Sequence, residues 1–326
     1  MDSGQLARAV YAAELAAQYE PNEPRYRDLS IRVSLNQIAL TRPTLTLDQY
    51  GRAAYQAESL EARDPSAAHV CGTVRAIDFF ARGDPAKAEL AAREVVQKSP
   101  TYAGGWLILG DILSASQRSA EALEAFEHVA KLDPSNSRAV TNLGMLAAQL
   151  GDWSKAVEYL TLAISLDDTP GARATLASAH LALNQPGPAL PHLTRAIQLS
   201  PREGRYRISQ GDAFLKLGML QDAAQAFRDA AALGAEPGAS RGQGAVALKN
   251  RDFAAADQAF TRVLAISADD LPTLFMAAEA KEGLAIPAEA AKLYARFAQL
   301  ADKLPGEAER VLLAKDRLAR LSPQPR

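Results

Sequence analysis

An alanine recurs along this chain at a nearly constant spacing of 33 to 35 residues. In six of eight instances a Phe, Leu or Tyr stands four residues further on, and a glycine or alanine stands twelve residues before each of the last six. A period held through eight copies indicates one repeated structural unit, and such units form elongated arrays. The recurring alanines are Ala53, Ala88, Ala122, Ala156, Ala189, Ala223, Ala256 and Ala290.

Each copy is predicted to be a hairpin of two α-helices, which we call helix A and helix B. A glycine inside a helix costs about 1 kcal/mol relative to alanine, so its recurrence in helix A needs a compensating gain. We interpret Gly110 as the point where helix A crosses close to Ala122 of helix B, with Phe126 filling the space before the next hairpin. Asp84 and Asp152 are placed to cap helix B in their copies.

The pattern resembles the tetratricopeptide repeat (TPR) family, whose signature is W-x2-L-G-x2-Y, then A-x3-F, then a further alanine and a proline. Residues 142–167 form another clear copy. The resemblance implies an all-α fold, an α-solenoid in which about eight hairpins stack into a right-handed superhelix with an extended binding surface. The fullest match to the signature consists of Trp106, Leu109, Gly110, Ala122, Phe126, Ala130 and Pro134.

The phase of the repeat predicts a single TPR solenoid over residues 1–326. Seven regular repeats are expected in 69–302 and a long atypical repeat in 24–65, with an extended loop near 41–49. Residues 1–21 resemble helix B of an incomplete first repeat. Residues 306–321 have one apolar stripe on an otherwise charged helix, which is typical of a helix that caps the end of an array.

Composition excludes several function classes. The chain has 36 Lys and Arg against 38 Asp and Glu, so its net charge of −2 gives no broad basic surface for nucleic acid or an anionic membrane. No segment has the length and apolar character of a signal peptide or a membrane helix. We expect a cytoplasmic location, with a periplasmic or membrane-anchored one as the alternative if the chain is a fragment.

The residues that usually perform catalysis do not form a recognisable constellation. His180 and His192 could approach each other across one hairpin, but the four histidines lack metal-ligand spacing. Cys71, the one cysteine, is expected to be a buried structural thiol. Asp167–Asp168 and Asp269–Asp270 are interpreted as helix-terminal residues rather than calcium ligands. We therefore expect no cofactor, no metal and no enzymatic activity.

The resemblance implies that helix A lines the binding groove, mainly with positions 2, 5, 9 and 12 of each repeat and at times 6. The arginines among these residues are expected to pair with carboxylates of a peptide or partner helix. A clamp for a C-terminal carboxylate is not expected, since Thr141 and Met145 stand where a lysine and an asparagine would be needed. The central positions are Arg138, Thr141, Asn142, Met145, Ala148, Ala174, Ser178, Leu181, Arg205, Ile208, Asp212, Leu215, Arg241, Ala245 and Leu248, with Thr73, Ile77, Phe80, Leu107, Asp111, Phe275, Glu279 and Glu282 towards the ends.

Two functions remain open from the sequence. The first is a non-catalytic scaffold that binds a peptide or partner helix in its groove. The alternative is a soluble TPR arm of a larger bacterial envelope protein, of the glycan-export or polysaccharide polymerase or ligase type. Self-association through the N-terminal half-repeat is a further expectation, and the partner's identity is not encoded in the period.

Overall fold

The computed structural model describes residues 12, 15, 19, 24–41 and 46–321 of the 326-residue chain. Within these residues the secondary structure is helical without any β-strand, which confirms the predicted all-α fold. None of the described helices is long and apolar enough to cross a membrane. The helix proposed for residues 1–21, and self-association through it, lie outside the described residues except for the three isolated positions.

The chain divides into two compact units, Met1–Asp168 and Thr169–Arg326. The helices of the first unit are α1 Pro24–Thr41, α2 Leu47–Arg63, α3 Ala68–Ala81, α4 Pro85–Lys98, α5 Ala103–Ala115, α6 Ser119–Leu132, α7 Ser137–Gln149 and α8 Trp153–Leu166. Those of the second are α9 Pro170–Ala182, α10 Pro186–Leu199, α11 Gly204–Lys216, α12 Leu220–Ala232, α13 Gly238–Lys249, α14 Phe253–Ile266, α15 Leu271–Gly283, α16 Pro287–Ala301 and α17 Ala308–Leu321.

Seven consecutive hairpins, from α3/α4 to α15/α16, make up most of the two units. Within each, helices A and B pack more extensively on each other than on any neighbouring helix. The first pair, α1 and α2, differs because α2 packs mainly on α3. The predicted loop near 41–49 needs a correction, since α2 already begins at Leu47 behind a capping box formed by Thr46 and Gln49.

The recurring glycine of helix A makes room for the large side chain of helix B. A Cβ atom built on Gly110 would lie 2.7 Å from Cε1 of Phe126, and one on Gly244 would lie 2.4 Å from Cε1 of Phe260. The nearest neighbour of Gly110 is therefore the ring of Phe126, not Ala122 as predicted. The physical reason is that three ring atoms of Phe126 lie 2.7–2.9 Å from the position that a Cβ on Gly110 would take, so the glycine accommodates a ring rather than a crossing of two backbones.

The same ring also fills the space before the next hairpin, as predicted. Phe227 of α12 lies against Gly211 of its own helix A and against Gly242 of α13 in the following hairpin. A Cβ on Gly211 would lie 2.6 Å from the Phe227 ring, and one on Gly242 would lie 2.2 Å from it. One buried side chain thus joins three helices.

The turns between helices A and B share a left-handed residue, and three of the seven add an aspartate cap. Asp84 accepts a hydrogen bond from the Lys87 backbone N–H at 3.1 Å, and Asp152 does so from Lys155 at 3.2 Å, which confirms both predicted caps. The residue just before the cap position has a positive φ between 56° and 80° in all seven hairpins: Gly83, Gln117, Gly151, Asn184, Gly218, Arg251 and Ala285.

We expect Gly144→Ala to destabilise the protein although alanine favours helix. The added Cβ would lie 2.5 Å from the branched Cγ of Leu160 and 3.2 Å from its backbone nitrogen, so neither neighbour can rotate away. Overpacking of this kind costs about 1–3 kcal/mol. Urea denaturation followed by circular dichroism measures it, and Gly187→Ala, where a Cβ meets nothing within 4 Å, is the matched control. Equal midpoints for the two variants would contradict this packing.

Arg251→Gly should stabilise the chain. Arg251 is exposed and holds φ at 59°, a left-handed conformation that costs an L-residue roughly 1–2 kcal/mol and costs glycine little. We expect a gain of about 1 kcal/mol in the free energy of unfolding. Lys249→Gly, two residues earlier in the last turn of α13, should instead lose stability, and a loss in both variants would show that the turn strain is absent.

Candidate functional site

Helices α5 and α7 are joined by a partly buried network of polar and charged side chains. Arg138 of α7 forms an ion pair with Asp111 of α5, and Nδ2 of Asn142 donates to Oδ1 of Asp111 at 3.3 Å. Only 11% of the Asp111 side chain and 25% of the Arg138 side chain are exposed. Arg138, predicted to bind a partner's carboxylate, is therefore already neutralised by a carboxylate of the neighbouring hairpin.

A cleft of about 440 Å³ opens beside this network. Its walls come from the A helices of three successive hairpins, and they combine amide, hydroxyl and carboxylate groups with apolar surface. Thr141 is not among the lining residues, and its hydroxyl donates to the Ser137 carbonyl one turn back at 2.7 Å. The lining residues are Phe80, Asp111, Ser114, Ala115, Asn142, Met145, Leu146 and Gln149.

The N-terminal end of the predicted groove is covered by the chain itself. Thr73 and Ile77 of α3 and Leu107 of α5 were expected to face a ligand, but all three are buried. Helix α1 packs on both α3 and α5, and Ile38 of α1 contacts the apolar cluster that contains Ile77 and Leu107. These three residues are thus removed from the open site.

In the second unit, two of the predicted residues differ sharply in how tightly they are held. Nη1 of Arg241 donates to both carboxylate oxygens of Asp270, at 3.1 and 3.4 Å, and Asp270 also caps α15. Arg205 is 71% exposed, pairs with Glu203 at 3.1 Å and lies with its guanidinium 5.1 Å from the centre of the Tyr206 ring. Arg205 is thus the predicted arginine that is most accessible to a ligand.

Ser178 and Ile208 are two further predicted residues in this unit. The Ser178 hydroxyl donates to the Ala174 carbonyl at 3.0 Å, as serine often does inside a helix, while its side chain stays exposed. Ile208 is half-buried, and a Cβ on Gly238 of the next helix A would lie 2.7 Å from its Cδ1. Ile208 therefore packs between two A helices and presents only part of its surface.

Asp212 is a groove carboxylate that makes no hydrogen bond or ion pair within the described part of the chain. Desolvation by the surrounding protein raises the pKa of Asp212 to about 6, while the positive charges of Arg241 and Lys216 lower it. Its side chain still reaches solvent. An unpaired carboxylate in this position favours a hydrogen-bond donor or a cation as its neighbour.

The C-terminal end of the A-helix face is covered as well, here by α17. The Arg310 guanidinium lies 4.9 Å from the centre of the Phe275 ring, and Arg317 donates to Glu282 at 2.8 Å. Burial raises the pKa of Glu279, which lies near both arginines. Phe275, Glu279 and Glu282 were predicted to face a ligand and instead lie under this last helix.

The cysteine and the two histidines considered for chemistry lie in surroundings typical of structural residues. Cys71 is fully buried, and burial raises the pKa of its thiol to about 11. The rings of His180 and His192 stack with centres 5.8 Å apart, which confirms their predicted approach across a hairpin. Among the described residues, no three His, Cys, Asp or Glu side chains are grouped so that they could hold a metal ion.

The ion pairs of Arg138 and Arg241 are what sequence reasoning missed. Both arginines were assigned to a ligand from their position within one repeat. Their carboxylate partners stand 27 residues before Arg138 and 29 residues after Arg241, in adjacent hairpins. A search for opposite charges 27 to 29 residues apart, on the A-helix segments of adjacent hairpins, was therefore the available signal.

Comparison with known proteins places the repeats in a family. The model of the tetratricopeptide repeat matches residues 73–127, 109–172, 175–240 and 210–271, which together exceed half of the chain. Anaphase-promoting complex subunit 3 of Schizosaccharomyces pombe is 23% identical over 146 residues, covering 44% of this chain and 22% of that protein. The peroxisomal targeting signal receptor of Kluyveromyces lactis is 26% identical over 146 residues, covering 45% and 25%. The chain thus spans about a quarter or less of these relatives.

Solved structures show the same fold. The crystal structure of the APC/C hetero-tetramer Cut9–Hcn1 superposes with a TM-score of 0.61 at 17% identity, covering 95% of this chain and 59% of that one. At this level of identity the similarity concerns the fold alone.

The environment of Asp212 predicts a pH-dependent effect of Asp212→Asn. Because the folded pKa of about 6 lies above the unfolded value of about 3.9, protonation stabilises the fold below that range, and this stabilisation is lost as the pH rises through 6. The amide variant should therefore be more stable than the wild type at pH 8 and nearly equal to it at pH 4. Thermal denaturation at both pH values measures the difference.

Asp222→Asn is the matched control, since Asp222 is exposed in the first turn of the B helix α12. It should show no gain at pH 8, because removing an acid from a helix N-terminus weakens the helix slightly. A gain for Asp212→Asn that is the same at both pH values would contradict the assigned environment.

Proposed function

Because the chain belongs to the tetratricopeptide repeat family, we propose that it is a non-catalytic scaffold that binds a protein partner along its A helices. The observation that carries the proposal is the cleft of about 440 Å³ between α3, α5 and α7. Clefts of this size with apolar walls and a few fixed polar groups are typical binding sites.

The chemistry of the cleft supports a peptide or a helix as the ligand. Met145 is 39% exposed and supplies apolar surface together with Phe80. Asn142 and Gln149 supply amides that both donate and accept, which suits a ligand with polar backbone or side-chain groups. Repeat proteins of this kind use such surfaces for extended peptides and amphipathic helices.

Ion pairs within the chain change which charged groups a partner needs. Arg138 and Arg241 are each held by a carboxylate of the same chain, so a partner's acid would have to compete with Asp111 or Asp270. Arg205 remains an accessible cation and Asp212 an unpaired acid, both on α11. A ligand of the second unit is therefore expected to carry both an acidic and a basic group, spaced to meet these two side chains.

The curated relatives support a role in recognition rather than in chemistry. One is named as a receptor for a targeting signal and another as a subunit of a multiprotein complex. Both roles are interactions between proteins, and we extend that general character, not either specific partner, to this chain.

Met145→Lys should abolish partner binding at the cleft, because it replaces exposed apolar surface at the centre of the site by a charge. The tagged chain is used to recover proteins from an extract of the source organism, and recovered proteins are quantified by mass spectrometry. We expect the recovery of specific partners to fall at least about tenfold, the effect of losing one central contact.

Leu90→Lys is the control, since Leu90 is 71% exposed on the B helix α4 and does not line the cleft. It makes the same chemical change and should leave recovery unaltered. If Leu90→Lys removed the partners and Met145→Lys kept them, the binding surface would lie on the B helices instead.

A further inference from the structure

Helix α1 does not pack as an ordinary helix A. In the seven later hairpins, helix A packs chiefly on its own helix B, whereas α1 packs at least as much on α3 as on α2 and reaches α5 as well. In the described part of the chain, no later helix A packs comparably on the helix A two hairpins further on. Helix α1 therefore lies across the faces of two A helices.

The contacts below α1 are those that a bound helix would make. Leu35 is fully buried against a cluster that includes Val70 and Val74 of α3, while Ile38 contacts the cluster of Ile77 and Leu107. Together with Ile31 and Ala39 these residues follow the i, i+4, i+7, i+8 spacing of one helix face. A single apolar stripe thus makes the contact, as in helix-in-groove recognition.

Polar contacts fix this helix at its edges. Both carboxylate oxygens of Asp28 accept from the Arg63 guanidinium, at 2.7 and 3.3 Å. The Tyr102 hydroxyl donates to Oδ1 of Asn36 at 2.9 Å. Because Arg63 ends α2 and Tyr102 directly precedes α5, the surface on which α1 packs supplies polar anchors at two separate points.

We propose that the face of α3 and α5 under α1 is a binding site for an amphipathic α-helix, and that α1 is its resident intramolecular ligand. A partner helix with the same apolar stripe, an acid for Arg63 and an amide for Tyr102 takes the place of α1. This site adjoins the cleft, since Phe80 of α3 and Asp111 of α5 line that cleft. The inference rests on the proposed function only in assigning the A-helix faces to partner binding.

A peptide of residues 24–41 is the probe, because it carries every contact named above. In the wild type the tethered α1 competes at an effective concentration in the millimolar range, so added peptide binds weakly. Asp28→Ala with Asn36→Ala loosens the resident helix while the probe keeps both anchors. We expect fluorescence anisotropy to show at least about tenfold tighter peptide binding by the double variant than by the wild type.

Leu29→Ala is the matched control, as Leu29 lies on α1 and is 47% exposed. It should bind the peptide as weakly as the wild type. A double variant that keeps its thermal midpoint and binds no peptide overturns the proposal, because the face of α3 and α5 would then not accept a helix that is not part of the chain.

Hydrogen exchange on the wild-type chain tests displacement without any substitution. If α1 is a resident ligand, its amides should exchange through a local opening that leaves α6 protected. Exchange of α1 only together with α6 overturns the proposal, because α1 would then be part of the cooperative core. No partner is needed in either experiment, so a failed partner recovery and a failed peptide test remain distinguishable.

Discussion

In four of the seven hairpins, the contact between a large side chain of helix B and a glycine of helix A fixes how closely the two helices pack. Phe126, Phe227 and Phe260 each lie against a glycine, and a methyl group there would approach the ring to within 2.4–2.7 Å. The helical propensity lost at each glycine, about 1 kcal/mol, is offset by burial of a whole aromatic ring, worth about 1.5–3 kcal/mol. Because Phe227 also touches the next hairpin, the same contact sets the spacing between repeats.

This inward packing leaves the opposite face of each helix A for binding, and the chain stabilises that face with its own charges. In the first unit Asp111 holds Arg138, and in the second Asp270 holds Arg241, each across two successive A helices. Such pairs are partly buried, so they keep their geometry better than exposed ion pairs do. The cleft wall between α5 and α7 is thus preorganised, which lowers the ordering cost of binding.

Periodicity made the central hairpins predictable, and departures from it account for what sequence reasoning missed. Gly110, Phe126 and the caps Asp84 and Asp152 occupy fixed phases, so one well-matched copy predicts the others. The partner of Gly110 was misassigned because spacing gives the position of a residue within the repeat but does not show which side chain lies opposite it. The burial of Ile77 and Phe275 was invisible for another reason: it depends on α1 and α17, which belong to no regular repeat.

The two helices that cover A-helix faces, α1 and α17, make different kinds of contact. Helix α17 buries Val311 and Ala314, and its Arg310 guanidinium lies 4.9 and 5.3 Å from the centres of the Phe275 and Phe297 rings. Its Arg317 pairs with Glu282, whose second oxygen accepts from the buried Tyr294. Opening this contact would leave the part-buried Glu282 carboxylate without its cation, while Tyr294 of α16 would keep its hydrogen bond to Glu282 of α15. The contacts of α1 combine one apolar stripe with two part-buried anchors, since only 24% of the Asp28 side chain is exposed and the Tyr102 hydroxyl donates to Asn36. A competing helix that carries the same apolar stripe and the same two polar groups would therefore repeat these contacts on the α3/α5 face.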